Sequence, residues 1–225
     1  MCGRYTSTIK AEVIKERFGV SEIQGDLKLP RFNIAPTQLS PVVISESSKR
    51  ILTQFQWGLI PFWSKDASLG NKMINARAET LLEKKSFSNL LKKNRCLVIS
   101  DGFYEWIKEG ANKYPVRILL KSREPFAFAG LWDQWKSPNN TVIKTFTIVT
   151  TTTKDHTVME PIHDRMPVIL TKENEDEWLE SSKEPHDLVK KSLKQFPAEE
   201  MEFYAVSKAV NSPRNDTVQC IEFNG

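Results

Sequence analysis

Cys96-Leu97-Val98-Ile99-Ser100-Asp101-Gly102-Phe103-Tyr104-Glu105-Trp106 sets the reading of the fold. Residues 96–100 are mostly apolar and predict a short β-strand. Asp101-Gly102 is a turn signal, because both residue types tolerate the backbone angles that end a strand. A second β-like run, 103–107, follows at once. Working outward, runs 114–121, 126–132 and 143–151 repeat the pattern, with Glu109-Gly110 as a further turn signal. Upstream, 41–46 and 51–57 read as a β-hairpin around Glu46-Ser47-Ser48-Lys49-Arg50. Trp57-Gly58-Leu59-Ile60-Pro61-Phe62-Trp63 then leaves the strand in a loop punctuated by Gly and Pro. Downstream, 166–170 is a short strand, and 202–206 and 218–223 are candidate closing strands.

Helical periodicity is confined to three places. Ser7-Thr8 precedes Ile9, Val13, Ile14 and Phe18, with Gly19 closing a short capped helix. Leu81, Leu82, Phe87, Leu90 and Leu91 recur at helical spacing within 79–93, and 173–194 reads as one or two helices broken at Pro185. There is no repeat, no low-complexity tract and no long linker. The pattern predicts one α+β domain over residues 1–225, mainly antiparallel sheet with a few flanking helices.

Composition narrows the class. With 225 residues, 40% hydrophobic and 27% charged, the chain has ordinary globular composition rather than that of a disordered or fibrous protein. No run approaches the roughly 18 apolar residues of a membrane span, so no membrane partner is expected. Met1-Cys2-Gly3-Arg4-Tyr5 lacks the apolar segment of a secretory signal. Cys2, Cys96 and Cys220 form no CxxC pair, which argues for a reducing cytoplasm and against a thiolate zinc site. No metal and no cofactor is expected.

The chemistry gathers at the N-terminus. Loss of Met1 would leave Cys2 with a free α-amine and a thiol two carbons away. The amine has an ordinary pKa of about 8 and the thiol one of about 8.5. Such a 1,2-aminothiol suits two reactions. It can attack an acyl carbon, or it can condense with an aldehyde through a Schiff base that the thiol closes to a thiazolidine. The alternative is that Cys2 is an incidental second residue. Cys96 and Cys220, in apolar or terminal strands, read as core. Glu105 is a lone acid amid aromatics. Burial would raise its pKa toward acid–base use, whereas exposure would make it an ordinary strand glutamate. His163 sits in the polar turn 161–167, while His156 and His186 read as solvated surface. Asn75 and Arg77 share one face of an extended segment, where Asn can orient an amine or hydroxyl and Arg can hold a phosphate.

These segments, taken in order from residue 1 to about 212, resemble the SOS-response-associated peptidase (SRAP) family, which includes abasic-site shields that crosslink to single-stranded DNA. The matching pieces are 1–5, Arg31-Phe32-Asn33-Ile34-Ala35-Pro36-Thr37, 57–63, Ile74-Asn75-Ala76-Arg77-Ala78-Glu79-Thr80, 96–106, Phe128-Ala129-Gly130-Leu131-Trp132 and 163–170. The resemblance implies a barrel-like core. It makes Cys2 the crosslinking nucleophile, exposed by self-processing, and Asn75 the residue orienting the Cys2 amine and the opened sugar. Glu105 would shuttle protons. His163 would act on the sugar hydroxyl and assist strand cleavage or reversal. Arg4, Arg77 and Arg165 would hold phosphates, Asn33 would join the DNA contacts, and Trp63 would stack on or wedge beside a base. The implied partner is single-stranded DNA with abasic sites, bound by a monomer, with replication-fork proteins as further candidates. The location would be cytoplasmic, at the nucleoid when on DNA. Loops 20–30, 107–113 and 133–143 are not fixed by the pattern.

Two other classes compete. A class II glutamine amidotransferase or other N-terminal-nucleophile hydrolase can also begin Met-Cys-Gly, but it needs glutamine-pocket motifs. Asn-Gly occurs here at the C-terminus, as Asn224-Gly225. A non-covalent single-strand-binding module would use the Arg and Trp residues and leave Cys2, Glu105 and His163 incidental. Charge separates along the chain. Residues 1–170 carry 25 basic and 16 acidic residues, and 171–202 carry 5 and 10, beneath a net +4. The face bearing Cys2, Arg4, Arg77 and Arg165 is therefore expected to be positive, with 171–202 mostly turned away.

Overall fold

Alternate residues of the 95–100 run face different layers, and both faces are buried. Cys96 and Val98 join one apolar cluster, Leu97 and Ile99 the other. This strand is therefore the middle of the molecule. The computed structural model describes residues 2–180 and 184–224. The first elements are β1 (Tyr5–Ser7), α1 (Ala11–Arg17), β2 (Glu22–Ile23), β3 (Arg31–Ile34), β4 (Leu39–Glu46), β5 (Lys49–Trp57) and β6 (Asn75–Arg77). Next come α2 (Lys85–Lys93), β7 (Arg95–Ser100), β8 (Gly102–Glu109), β9 (Asn112–Leu120), β10 (Phe126–Lys136) and β11 (Val142–Thr152). The chain closes with β12 (Arg165–Pro167), β13 (Ile169–Leu170), α3 (Lys172–Leu179), α4 (Pro185–Ser192) and β14 (Met201–Ala205).

Strands β5, β4, β7, β10 and β11 pair antiparallel in that order, and a parallel contact between β11 and β5 closes them into a barrel. The seam pairs Thr145 with Gln56 and Phe146 with Trp57, and the Gly58 N–H donates to the Phe146 carbonyl at 2.8 Å. Closure removes the exposed strand edges that an open sheet would leave. A second, five-stranded sheet runs β14-β9-β8-β1-β3. Tyr5, Ile34, Phe103, Val116 and Ile118 of that sheet share a cluster with Phe55, Trp57, Phe128 and Phe146 of the barrel strands. The opposite faces of the barrel strands, Val43, Leu97, Ala127, Ala129 and Val149, take the helices through Ile14, Leu91, Trp178 and Leu188. The α+β architecture and barrel-like core expected from the sequence are present.

The acidic segment follows this layering. Trp178 and Leu188 place α3 and α4 against the helix-facing cluster, whereas Cys2 lies in the other. Three acids of α3 are tied to bases nearby in space: Glu175 to Arg17 at 2.8 Å, Asp176 to Arg50, and Glu177 to Lys191 at 2.5 Å.

Several local expectations are corrected. Ser7-Thr8 does not cap α1: Ser7 ends β1, the Thr8 hydroxyl donates to the Asp101 carboxylate, and Lys10 stands at the helix start without a side-chain cap. Helix 79–93 begins at Lys85, because Ala78–Thr80 makes a separate 3-10 turn after the β6 pairing. Asp101-Gly102 does separate two strands, as expected. It carries the chain from the barrel to the five-stranded sheet, and a Cβ on Gly102 would lie 2.7 Å from Arg117 Nε. Residues 218–223 form a 3-10 turn, which holds the buried Cys220, and a lone Val206–Phe223 bridge rather than a strand. His156 is buried, not solvated. Its Nδ1 accepts from the Met159 N–H at 3.0 Å and its Nε2 donates to the Phe196 carbonyl at 2.9 Å. Both ring nitrogens thus serve packing.

Candidate functional site

The N-terminal segment is clamped before it reaches Cys2. Tyr5 pairs with Phe103 of β8 and Ile34 of β3, and its ring meets Trp57 and Phe128 edge-on with centroids 5.1 and 5.7 Å away. The Tyr104 N–H donates to the Arg4 carbonyl at 2.9 Å, so the residues before β1 run beside β8. Cys2 is fully buried there, its thiol 3.9 Å from the Arg4 carbonyl.

Asn75 opens β6, which pairs in parallel with β11 and fixes its position. Its Nδ2 donates to the Cys2 carbonyl at 2.9 Å. Its Oδ1 is buried with no hydrogen-bond partner among the described residues. A buried amide oxygen left unsatisfied costs about 1–3 kcal/mol, so the group stands ready for a donor.

Glu105 of β8 is 5% exposed, and its pKa is raised to about 7, first by burial and then by the nearby charge of Asp164. Burial pushes the Cys2 thiol well above its usual range, and the Glu105 charge pushes it further. The resting thiol is therefore protonated, and it needs a proton acceptor at the moment it reacts. Sequence reasoning placed Glu105 between two environments; the structure places it in the buried one.

His163 precedes β12 and shares a cleft of about 890 Å³ with Glu105. Trp106, Lys108, Lys113 and Asp164 also line it. His163 Nδ1 lies 2.7 Å from Asp164 Oδ1 and 3.0 Å from the Arg165 N–H. These contacts demand different protonation. With hydrogen on Nδ1 the ring donates to Asp164, and without it the ring accepts from Arg165. Burial lowers the His163 pKa against the opposing pull of Asp164, and the Lys108 charge lowers it further.

The other expected residues fall into three groups. Trp63 and its neighbour Phe62 are exposed, at 56% and 68%. Their loop is rigidly pinned. The Phe62 N–H donates to Asp133 at 2.8 Å, Trp135 Nε1 donates to the Ser64 carbonyl at 2.7 Å, and a Cβ on Gly58 (φ +119°) would clash with the Gly70 carbonyl at 2.7 Å. Arg77 is exposed, but Arg165 is held by Glu79 through two bonds of 2.7 and 3.0 Å and by the Thr150 carbonyl at 2.7 Å. Asn33 is fully buried. Its Nδ2 donates to the carbonyls of Val210, Ser212 and Asn215, and its Oδ1 accepts from Arg4 at 2.8 Å. With all its polar atoms engaged, Asn33 supports Arg4 and is not itself a surface contact.

Lys108 on β8 and Lys113 on β9 line the same cleft, and no motif in the 107–113 segment points to them. Sequence reasoning also missed the Glu79 clamp on Arg165, although Glu79 stands in the same quoted segment as Asn75. Among the described residues no group of three or more His, Cys, Asp or Glu is placed to hold a metal, and no helix is long and apolar enough to cross a membrane.

The family model described as SOS response associated peptidase (SRAP) matches residues 1–213. The chain belongs to the SRAP family. Within it, this SRAP chain is 45% identical over 225 residues to "Abasic site processing protein YoqW" of Bacillus subtilis (strain 168), covering 99% of both chains. It is 30% identical to "Abasic site processing protein HMCES" of Gallus gallus, covering 98% of this chain and 77% of the relative. A crystal structure of a Bacteroides thetaiotaomicron protein superposes with a TM-score of 0.86 at 30% identity, covering 99% of this chain and 100% of that one. The SRAP fold thus extends over essentially the whole chain.

Proposed function

We propose that this protein processes abasic sites in single-stranded DNA by crosslinking to them through Cys2 after removal of Met1. Relatives named abasic site processing proteins support the substrate class. The observation that carries the chemistry is the fixed position of Cys2, with its carbonyl held by Asn75 at 2.9 Å and its thiol within the field of Glu105.

The atoms balance without a cofactor. The ring-opened abasic sugar presents an aldehyde. The Cys2 amine adds to it, and loss of water gives a Schiff base. The thiol then adds to the imine carbon, its proton ends on the nitrogen, and a five-membered thiazolidine results. Asn75 Oδ1 would accept from the freed amine, aiming its lone pair. Glu105, with a pKa near the working pH, takes the thiol proton and supports loss of water. His163, which lines the same cleft, acts on the sugar hydroxyl, which suits strand cleavage or reversal. Met1 is removed by self-processing or by ordinary methionine removal. Phe62 and Trp63 stack on bases, and Arg4, Arg77 and Arg165 meet phosphates, with Arg165 exchanging Glu79 for its phosphate. The adduct shields the lesion in the DNA damage response of the cytoplasm, formed by a monomer.

The test compares two single-stranded oligonucleotides. One carries an abasic site. The other carries the same site reduced to the alcohol, which has no aldehyde. A denaturation-resistant adduct is expected with the first and not with the second. An equal yield with both would overturn the reading.

A further inference from the structure

Lys108 and Lys113 face each other across the β8–β9 hairpin. The register pairs Glu105 with Val116, Trp106 with Pro115, Ile107 with Tyr114, and then Lys108 with Lys113. Like charges directly opposite on adjacent strands repel and weaken a hairpin. Both residues are exposed, and among the described residues neither ammonium is held by a salt bridge or a side-chain hydrogen bond. The fold therefore sets two cations opposite each other with no direct ion pair between either of them and a carboxylate among the described residues.

These two lysines line the cleft that holds Glu105 and His163. Lys108 is near enough to His163 for its charge to act on the imidazole. At about 3.3 Å per strand residue, Lys108 lies roughly 10 Å along β8 from Glu105, a distance of one or two nucleotides. Arg165, by contrast, already has a carboxylate partner in Glu79. The hairpin thus adds two positive charges to the cleft that holds Glu105.

We infer that Lys108 and Lys113 form a phosphate clamp for the DNA strand next to the abasic sugar. The inference rests on the proposed function and adds a binding site to it. The clamp holds backbone and reads no base, so it acts on any flanking sequence.

The experiment uses the full chain with Met1 removed and single-stranded DNA, with and without an abasic site. K108Q/K113Q is expected to weaken binding of undamaged single-stranded DNA about tenfold at moderate salt. It is expected to flatten the slope of log K against log salt by about 1.4, since each phosphate contact on a single strand contributes about 0.7. K108E adds a stability readout. It turns the like-charge pair into an opposite-charge pair, so the melting temperature should rise while DNA affinity falls, the opposite of what a folding defect gives. Unchanged affinity and salt slope in K108Q/K113Q would overturn the clamp. A wild-type protein that forms no adduct overturns the proposed function instead.

Discussion

Asn75 holds Cys2 by its backbone rather than by its thiol: the Asn75 Nδ2 donates to the Cys2 carbonyl at 2.9 Å, and Oδ1 stays buried beside it. That geometry fixes where the N-terminal amine must be once Met1 has gone. Asn75→Ala removes the fix without changing Cys2 itself. The crosslinking rate at saturating DNA should fall by roughly 100-fold, as small losses of alignment do, while the melting temperature changes little. A single-turnover time course checks both. A rate within threefold of wild type removes Asn75 from the chemistry.

The raised pKa of Glu105 should make both stability and the proposed crosslinking pH-dependent. Its folded pKa is about 7 against an ordinary 4.5, so between those values the native protein keeps a proton that the unfolded chain has lost. The associated stability is fully present below about pH 4.5 and is lost as pH rises through about 7. Glu105→Gln should flatten this, leaving the variant more stable than wild type at pH 8, by up to about 3 kcal/mol. Catalysis runs the other way. The base form populates above about pH 7, so the wild-type crosslinking rate should rise from pH 6 to 8, and E105Q should be slow throughout. Denaturant melts and rate profiles over that range measure the two effects.

His163 lines the same cleft as Glu105, with its ring beside Asp164 at 2.7 Å. Replacing it with Ala should leave the initial adduct rate within severalfold of wild type. Release of the adduct and strand cleavage should slow by 10-fold or more, within the range for loss of one acid–base group. Pulse-chase of a labelled adduct against unlabelled abasic DNA reads the release step. Collapse of adduct formation itself would assign His163 a different role.

Phe62 and Trp63 are exposed rings on a loop that is tied down at Asp133, Thr145 and Ser64. Their exposure therefore costs the fold little to change. Trp63→Ala should weaken single-stranded DNA binding by about 1–3 kcal/mol, the worth of one stacked base. The melting temperature should stay within a degree or two. Fluorescence anisotropy with undamaged oligonucleotides isolates this binding from the chemistry.

Much of the fold was legible because its signals are local. The 41–57 hairpin is present, with Ser47 and Ser48 at φ +49° and +61° in the turn, and Pro185 opens α4 as a first-turn proline can. What was not legible depends on pairing at long range. Nothing near Asp101 says that β7 and β8 belong to different sheets. Nothing near Ser7 says that Thr8 is claimed by Asp101, 93 residues away. The same holds at the site. Cys2, Glu105 and His163 stood out by residue type and setting, whereas the burial of Asn33, the Glu79 clamp on Arg165 and the Lys108–Lys113 pairing each needed a partner distant in sequence or an exact strand register.

The central claim is a bond between Cys2 and an abasic sugar, and intact mass spectrometry of the mixture tests it most directly. Protein lacking Met1, incubated with single-stranded abasic DNA, should show a species at the summed mass less one water, stable to denaturation. Cys2→Ala keeps the amine but cannot close the ring, so the stable species should vanish and return as a trapped imine when borohydride is present. An equally stable adduct in Cys2→Ala without borohydride, or in protein that retains Met1, would contradict the account.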